Sequence, residues 1–338
     1  MEGILRITEE KDRKNTPISS ALYGRISIFH PSQRLTPSMK MRLIDIAQSG
    51  GTDLNNPLES AITKYKGKMF RVGLHVDYLL HPHRDVLEMI ISYARTVELH
   101  DESFNNSERL TWFDVLSSIS GINITNPQRE LTETINSEAT VFSISMYELA
   151  RLLKISPTRK NYDQIEKRIT QLATAKISIS ELDEEGTPID VKPFSFIESF
   201  RFCYDANKNK NNRAEKPATN HVFIVLNNQL VETIITYPTK HFRKDQHKIT
   251  NYNSLPLRSL IKWVTTHEPE FLHTKKMEWV IDRYISSIAT DTSASFKSKL
   301  KKELLANTDQ LEIDYGLKLD IGSKGEYQFF NTKNKEVL

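Results

Sequence analysis

Apolar residues recur along this chain at two spacings, three-to-four and two, and the stretch between Val141 and Asp183 shows both most clearly. VFSIS alternates and leads to Ser145, with Glu148 three residues on, the spacing of a capping box. Leu149, Leu152 and Leu153 give the helix that follows an apolar face. Ser156-Pro157 offers a cap and a first-turn proline for a second helix, or the run to Asn161 is loop. Tyr162, Ile165, Ile169 and Leu172 then recur at helical spacing, and Lys160, Gln164, Lys167 and Gln171 occupy the opposite face. KISISEL alternates as a strand and Asp-Glu-Glu-Gly signals a turn. Helix, turn, helix and hairpin, with a polar and basic outer face, is the layout of a winged helix-turn-helix.

Elsewhere the pattern is uneven. Residues 1 to 69 are basic and interrupted by Pro17, Pro31 and Pro37, with a short helix predicted from Pro37 to Gln48. They read either as a solvated tail with a satellite element or as an arm that follows a phosphate backbone. MFRVGLHVDYLL predicts a strand ending in a turn at His81-Pro82-His83, and Asp85 to Leu99 a helix with Val86, Ile90, Tyr93 and Val97 inward. Residues 100 to 140 form a weaker helix-turn-helix candidate whose second helix is acidic, which reads better as a packing extension. TPIDVKPFSFIESFRFCYD reads as a long wing strand, Asp205 to Asn220 as a flexible loop, and HVFIVLNNQL as a buried strand completing a three-stranded wing sheet.

The second half repeats the plan. Helices are predicted over Asn227–Ile235, Tyr252–Thr266 and MEWVIDRYISSI, then over ASFKSKLKKELLA with Phe296, Leu300 and Leu304 inward. LEIDYGLKLDI and GEYQFFN read as strands flanking the turn Gly322-Ser323-Lys324-Gly325. The fold class expected is α+β: two tandem winged helix-turn-helix domains with an N-terminal extension. The divisions are a basic segment over 1–69, a first winged-helix domain over 70–226 with an insertion at 100–140 and a loop at 205–220, and a second over 227–338.

Composition narrows the function. With 338 residues, 38% hydrophobic and 26% charged, the chain has room for more than one core, and it has no apolar run of membrane-spanning length. The N-terminus lacks a secretory signal pattern, so a cytoplasmic location is the expectation. The single cysteine, Cys203, cannot form an internal disulfide or build a cysteine-based zinc site alone. A net charge of +3 points to no partner by itself; distribution must. No phosphate loop, GxGxxG or HExxH occurs, so no catalytic residue, cofactor or metal is expected. His81-Pro82-His83 invites comparison with the paired histidines of rolling-circle nicking endonucleases, but a central proline breaks a strand, and the Tyr-x-x-Lys at Tyr65–Lys68 lies upstream.

DNA chemistry is carried by two helices. Arg159, Lys160, Asn161, Gln164, Lys167, Arg168 and Gln171 mix phosphate-neutralising cations with amides able to read adenine edges. Ser293, Ser295, Lys297, Ser298, Lys299, Lys301 and Lys302 suit backbone contacts, with no acid until Glu303, and Lys318 and Lys324 sit on the following hairpin. For each helix the plain alternative is a merely solvated charged face.

YELARLLKIS with IEKRITQLATAKISI, HVFIVLNNQLVETII, ITNYNSLPLRSLIKWVTTHEP and FKSKLKKELL together resemble the tandem winged-helix replication initiators of plasmids, IncQ-type initiators in particular and secondary-chromosome initiators more distantly. The resemblance implies binding to repeated origin sites (iterons) and help in opening adjacent AT-rich DNA. It also implies a dimer that represses its own gene and a host or plasmid helicase or primase as partner. The recognition role would fall on Lys160 to Gln171 and on Ser293 to Lys302. Competing expectations are a plasmid-borne transcriptional regulator or partition protein of the same architecture, a nicking endonuclease, and an adaptor whose winged helices bind protein.

Overall fold

The computed structural model describes residues 15–26, 28–51, 57–98, 111–112, 135, 140–204, 219–288 and 294–332. In chain order the first elements are α1 (Ala21–Arg25), β1 (Phe29–His30), α2 (Pro37–Gln48), β2 (Glu59–Tyr65), β3 (Lys68–His75), β4 (Leu79–Leu80), α3 (His81–Tyr93) and β5 (Arg95–Glu98). There follow β6 (Thr140–Ser145), α4 (Met146–Leu152), α5 (Arg159–Thr174), β7 (Lys176–Glu181), β8 (Phe194–Ser195), β9 (Ile197–Tyr204), β10 (Thr219–Leu226) and α6 (Asn228–Thr236). The remainder is α7 (Gln246–Ile249), α8 (Leu255–Val264), α9 (Met277–Ser286), α10 (Ala294–Ala306), α11 (Thr308–Tyr315), β11 (Leu317–Ile321) and β12 (Tyr327–Asn331). The class is α+β, with helices set against small, mainly antiparallel sheets.

One sheet runs β2-β3-β7-β8 and another β5-β6-β10-β9. Val72 of β3 pairs with Ala61 on one side and Ile179 on the other. Val222 of β10 pairs with Ile144 and Phe202. This corrects the three-stranded wing. The turn after β7 does form, with the Gly186 amide donating to the Asp183 carbonyl, but β7 pairs with β3 and β8 while β9 joins β10. Alternation specifies a strand and its faces; it does not choose the partner.

Other boundaries moved for local reasons. The predicted strand through Leu80 breaks where Val76 takes φ 75°, and His81-Pro82-His83 is the first turn of α3, not a loop. Proline is at home there because a first-turn N–H has no intrahelical acceptor. That helix stops at Tyr93, and Arg95–Glu98 is strand, so Val97 lies beyond it. LEIDY, expected as strand, is helical in α11; Gly316 ends it in the left-handed region at φ 68°, which glycine adopts without a Cβ penalty.

Two apolar clusters organise the molecule. The first gathers α3, α4, α5 and both four-stranded sheets, with Val86, Ile90, Leu149, Ile165, Ile169, Leu172, Ile177 and Ile224 at its centre. Tyr23, Ile28, Phe29 and Met39 belong to it, so the N-terminal segment contributes to the core, while most of Pro37–Gln48 stays exposed. Leu230 and Ile234 of α6 also pack there. The second cluster starts at Ile249 and joins α8, α9, α10, α11 and the β11–β12 hairpin. The weaker helix-turn-helix candidate and the loop after Tyr204 lie outside the described residues, apart from the buried Trp112 and Ile135.

The two clusters are joined by built contacts. The Arg25 guanidinium donates to the Thr266 carbonyl at 2.9 Å and the Trp263 indole to the Arg25 carbonyl at 3.2 Å, while the Ala21 amide ties α1 to the end of α6 through the Tyr237 carbonyl at 2.7 Å. Gly24 makes this approach possible, because a Cβ there would stand 2.8 Å from the Thr266 methyl.

Candidate nucleic-acid interface

Helix α5 is placed by burial more than by its cap. Thr158 makes no side-chain cap bond, which forgoes about 1 kcal/mol, whereas Ile165, Ile169 and Leu172 are fully buried at roughly 1.5–3 kcal/mol each. The preceding turn is held from both sides. Lys154 takes φ 55° to leave α4, and its ammonium donates to the Thr250 carbonyl at 2.7 Å and the Asn251 amide oxygen at 3.2 Å. Asn161 does not project toward a ligand: its side-chain amide donates to the Ser156 carbonyl at 2.8 Å and fixes the start of the helix.

Burial of that stripe leaves Arg159, Lys160, Gln164 and Lys167 exposed, and none of the three cations has an ion-pair partner among the described residues. Arg168 is half-buried, and burial draws its pKa down against the opposing pull of the Asp85 charge. Gln171 departs from the expected exposed row. Its carbonyl oxygen accepts from His83 Nε2 at 2.8 Å and its amide donates to Asp77 at 3.0 Å. His83 Nδ1 meanwhile accepts from the Leu80 amide at 2.9 Å, so the neutral Nε2–H tautomer satisfies the whole chain of bonds. Burial keeps that imidazole's pKa below its usual value.

The second basic helix is more occupied than its sequence suggests. Lys297 reaches Asp282 at 2.5 Å and Glu278 at 3.5 Å, and Lys301 reaches Glu278 at 2.5 Å, so the partners of these lysines come from α9. Lys318 pairs with Asp320 at 3.0 Å. Lys299, Lys302 and Lys324 are exposed with no carboxylate partner among the described residues, and Ser295 and Ser298 are exposed beside them. Ser293 lies outside the described residues. Helix α11 stands between α10 and the hairpin, so the wing does not follow the basic helix directly.

Behind α5 lies a charged junction that sequence reading missed. Lys262 of α8, with no exposed surface, places its ammonium 2.9 Å from Asp85 and 2.7 Å from Glu88 on α3. Arg258 reaches Asp85 at 3.1 Å, and Arg84 reaches Glu88 at 2.7 Å. Burial by itself raises a carboxyl pKa, but Lys262 and Arg84 overcome it and hold Glu88 at about 2; His81 beside it, together with Lys262 and Arg258, likewise holds Asp85 well below the usual carboxylate range. His81 Nε2 is 3.3 Å from Asp85, yet burial drops its pKa to about 4 and keeps it neutral. A trace was present in the sequence: charged residues spaced three or four apart within apolar helices, Asp85 with Glu88 and Arg258 with Lys262.

These shifts fix a pH response. His81 binds a proton near 6.5 when unfolded and only near 4 when folded, so its contribution fades as pH falls from about 6.5 toward 4. Glu88 adds a second loss as pH falls from 4.5 toward 2. Thermal melts across this range should show stability dropping steadily below neutrality; a flat profile from pH 7 to 4 contradicts the assignment.

No protein-family model matches this chain, and no curated protein matches it in sequence. Solved structures that share its course loosely include two of RctB. A selenomethionine crystal structure of domains 2 and 3 of RctB is 11% identical with a TM-score of 0.47, covering 80% of this chain and 89% of that one. A crystal structure of RctB domains 2–3 is 11% identical with a TM-score of 0.44, covering 82% and 93%. Among the described residues no helix is long and apolar enough to cross a membrane.

Proposed function

We infer that this chain is a double-stranded DNA-binding protein of tandem winged-helix type that acts at a replication origin. The observation that carries the reading is the row Arg159, Lys160, Gln164 and Lys167, exposed on the N-terminal half of a helix whose other side is anchored in the core. Recognition helices place their N-terminal residues against base edges, so the inward turn of Gln171 near the far end fits that use. Lys299, Lys302 and Lys324 supply a second cationic face for phosphates. The role at an origin, with repeated sites and duplex opening, rests on the resemblance of the quoted segments to plasmid initiators. A helicase or primase partner and a repressing dimer rest on the same resemblance.

Footprinting on DNA beside the gene tests the reading. Protection in helically phased repeats supports an origin, one short palindrome favours a repressor, and no protection on any fragment removes DNA recognition altogether. Nicking of supercoiled DNA in the presence of a divalent metal would replace the reading with an endonuclease.

The two glutamines divide in a testable way. Gln164→Ala should relax preference at one base pair by about 1–3 kcal/mol, measured with single-substituted duplexes. Gln171→Ala should leave His83 and Asp77 without their partner and lower stability by about 1–3 kcal/mol, with base preference unchanged. Equal loss of preference in both variants would contradict the geometry.

A further inference from the structure

The row on α5 borders a half-open cleft of about 520 Å³ that reaches across to α8. Four cationic side chains line it from three separate segments: Arg34, Lys167 and Arg168, and Arg258. Asp85 is the one carboxylate among its lining residues, and its oxygens already accept from Lys262 and Arg258. Arg168 has no hydrogen-bond acceptor among the described residues although it is half-buried, and the Arg258 Nε–H is buried without one. A buried guanidinium N–H left without an acceptor is unfavourable, and an oxyanion supplies acceptors to several such donors at once.

We propose that this cleft is a phosphate-binding site shared by the two halves of the chain. Tetrahedral phosphate oxygens suit guanidinium forks arriving from different directions, and the charge of the lining calls for an anion of two or more negative charges. The cleft has the volume of a small-ligand site, and Leu35, Leu153 and Leu255 give it apolar wall between the cations. The phosphate comes either from the backbone of bound DNA or from a small phosphorylated molecule. In both cases it touches Arg258 of the second half and Lys167 of the base-facing row, and so ties the two together. The DNA source rests on the function inferred above; the small-molecule source does not.

The full chain is titrated with inorganic pyrophosphate by calorimetry, and separately with a short duplex of random sequence over a range of salt. The variants are Arg34→Ala, whose exposed side chain leaves folding intact, Arg168→Ala, and Arg168→Lys, which keeps charge without the fork. Saturable pyrophosphate binding that weakens at least tenfold in Arg34→Ala and Arg168→Ala, with partial recovery in Arg168→Lys, establishes a small-phosphate site. It does so whether or not DNA binds. No pyrophosphate binding, with a salt slope reduced by about one unit in each alanine variant, assigns the phosphate to DNA. Wild-type DNA binding unchanged in every variant, with no pyrophosphate binding, overturns the site and leaves the DNA reading standing. Absence of both DNA and pyrophosphate binding overturns both.

Discussion

Lys262→Met should destabilise the folded protein by about 3–5 kcal/mol, the range seen when one member of a buried ion pair is removed. The methionine fills nearly the same space, so the loss reports charge and not a cavity. Asp85 and Glu88 would stay buried with only Arg258 and Arg84 to neutralise them. Denaturant unfolding followed by circular dichroism measures it, and a loss below about 1 kcal/mol would mean the network contributes little. Adding Glu88→Gln should restore part of the loss, because the second change removes a charge that the first left without its lysine. Additive losses would show that Lys262 acts through packing alone.

The second large effect concerns DNA. Lys160→Ala combined with Lys167→Ala should lower the slope of log affinity against log salt by about two units, since each lost phosphate contact releases roughly one counterion fewer. Specific and random duplexes should weaken together, in contrast to Gln164→Ala. Retention of the wild-type slope would mean that α5 does not face the duplex. The matching pair on the other face, Lys299 and Lys302, should outweigh Lys297 and Lys301, which already hold carboxylates of α9.

The helices were legible because their burial is periodic and local. Ile165, Ile169 and Leu172 mark α5, and Leu300 and Leu304 mark α10, by their spacing alone. Sheet partners were not legible. KISISE alternates equally well beside β9 or β3, and the choice of β3 depends on residues about a hundred positions away. LEIDY suits either period, and only the left-handed backbone at Gly316 decides where helix gives way to strand. The candidate site shows the same division. Exposure of Lys160, Gln164 and Lys167 follows from the stripe opposite them, whereas the carboxylates that engage Lys297 and Lys301, and the histidine that engages Gln171, come from other elements. Arg34 and Arg258 were invisible as partners because nothing in one dimension brings them to α5.

The Arg25–Thr266 bond spans 241 positions along the chain. At about 5–20 residues added per second, the segment around Arg25 leaves the ribosome roughly ten to fifty seconds before Thr266 does. Throughout that interval Ile18, Ala21 and Leu22, all buried in the finished protein, have no second half to cover them. Birth of this molecule therefore includes a waiting period, during which these apolar residues are open to chaperones or to neighbouring nascent chains.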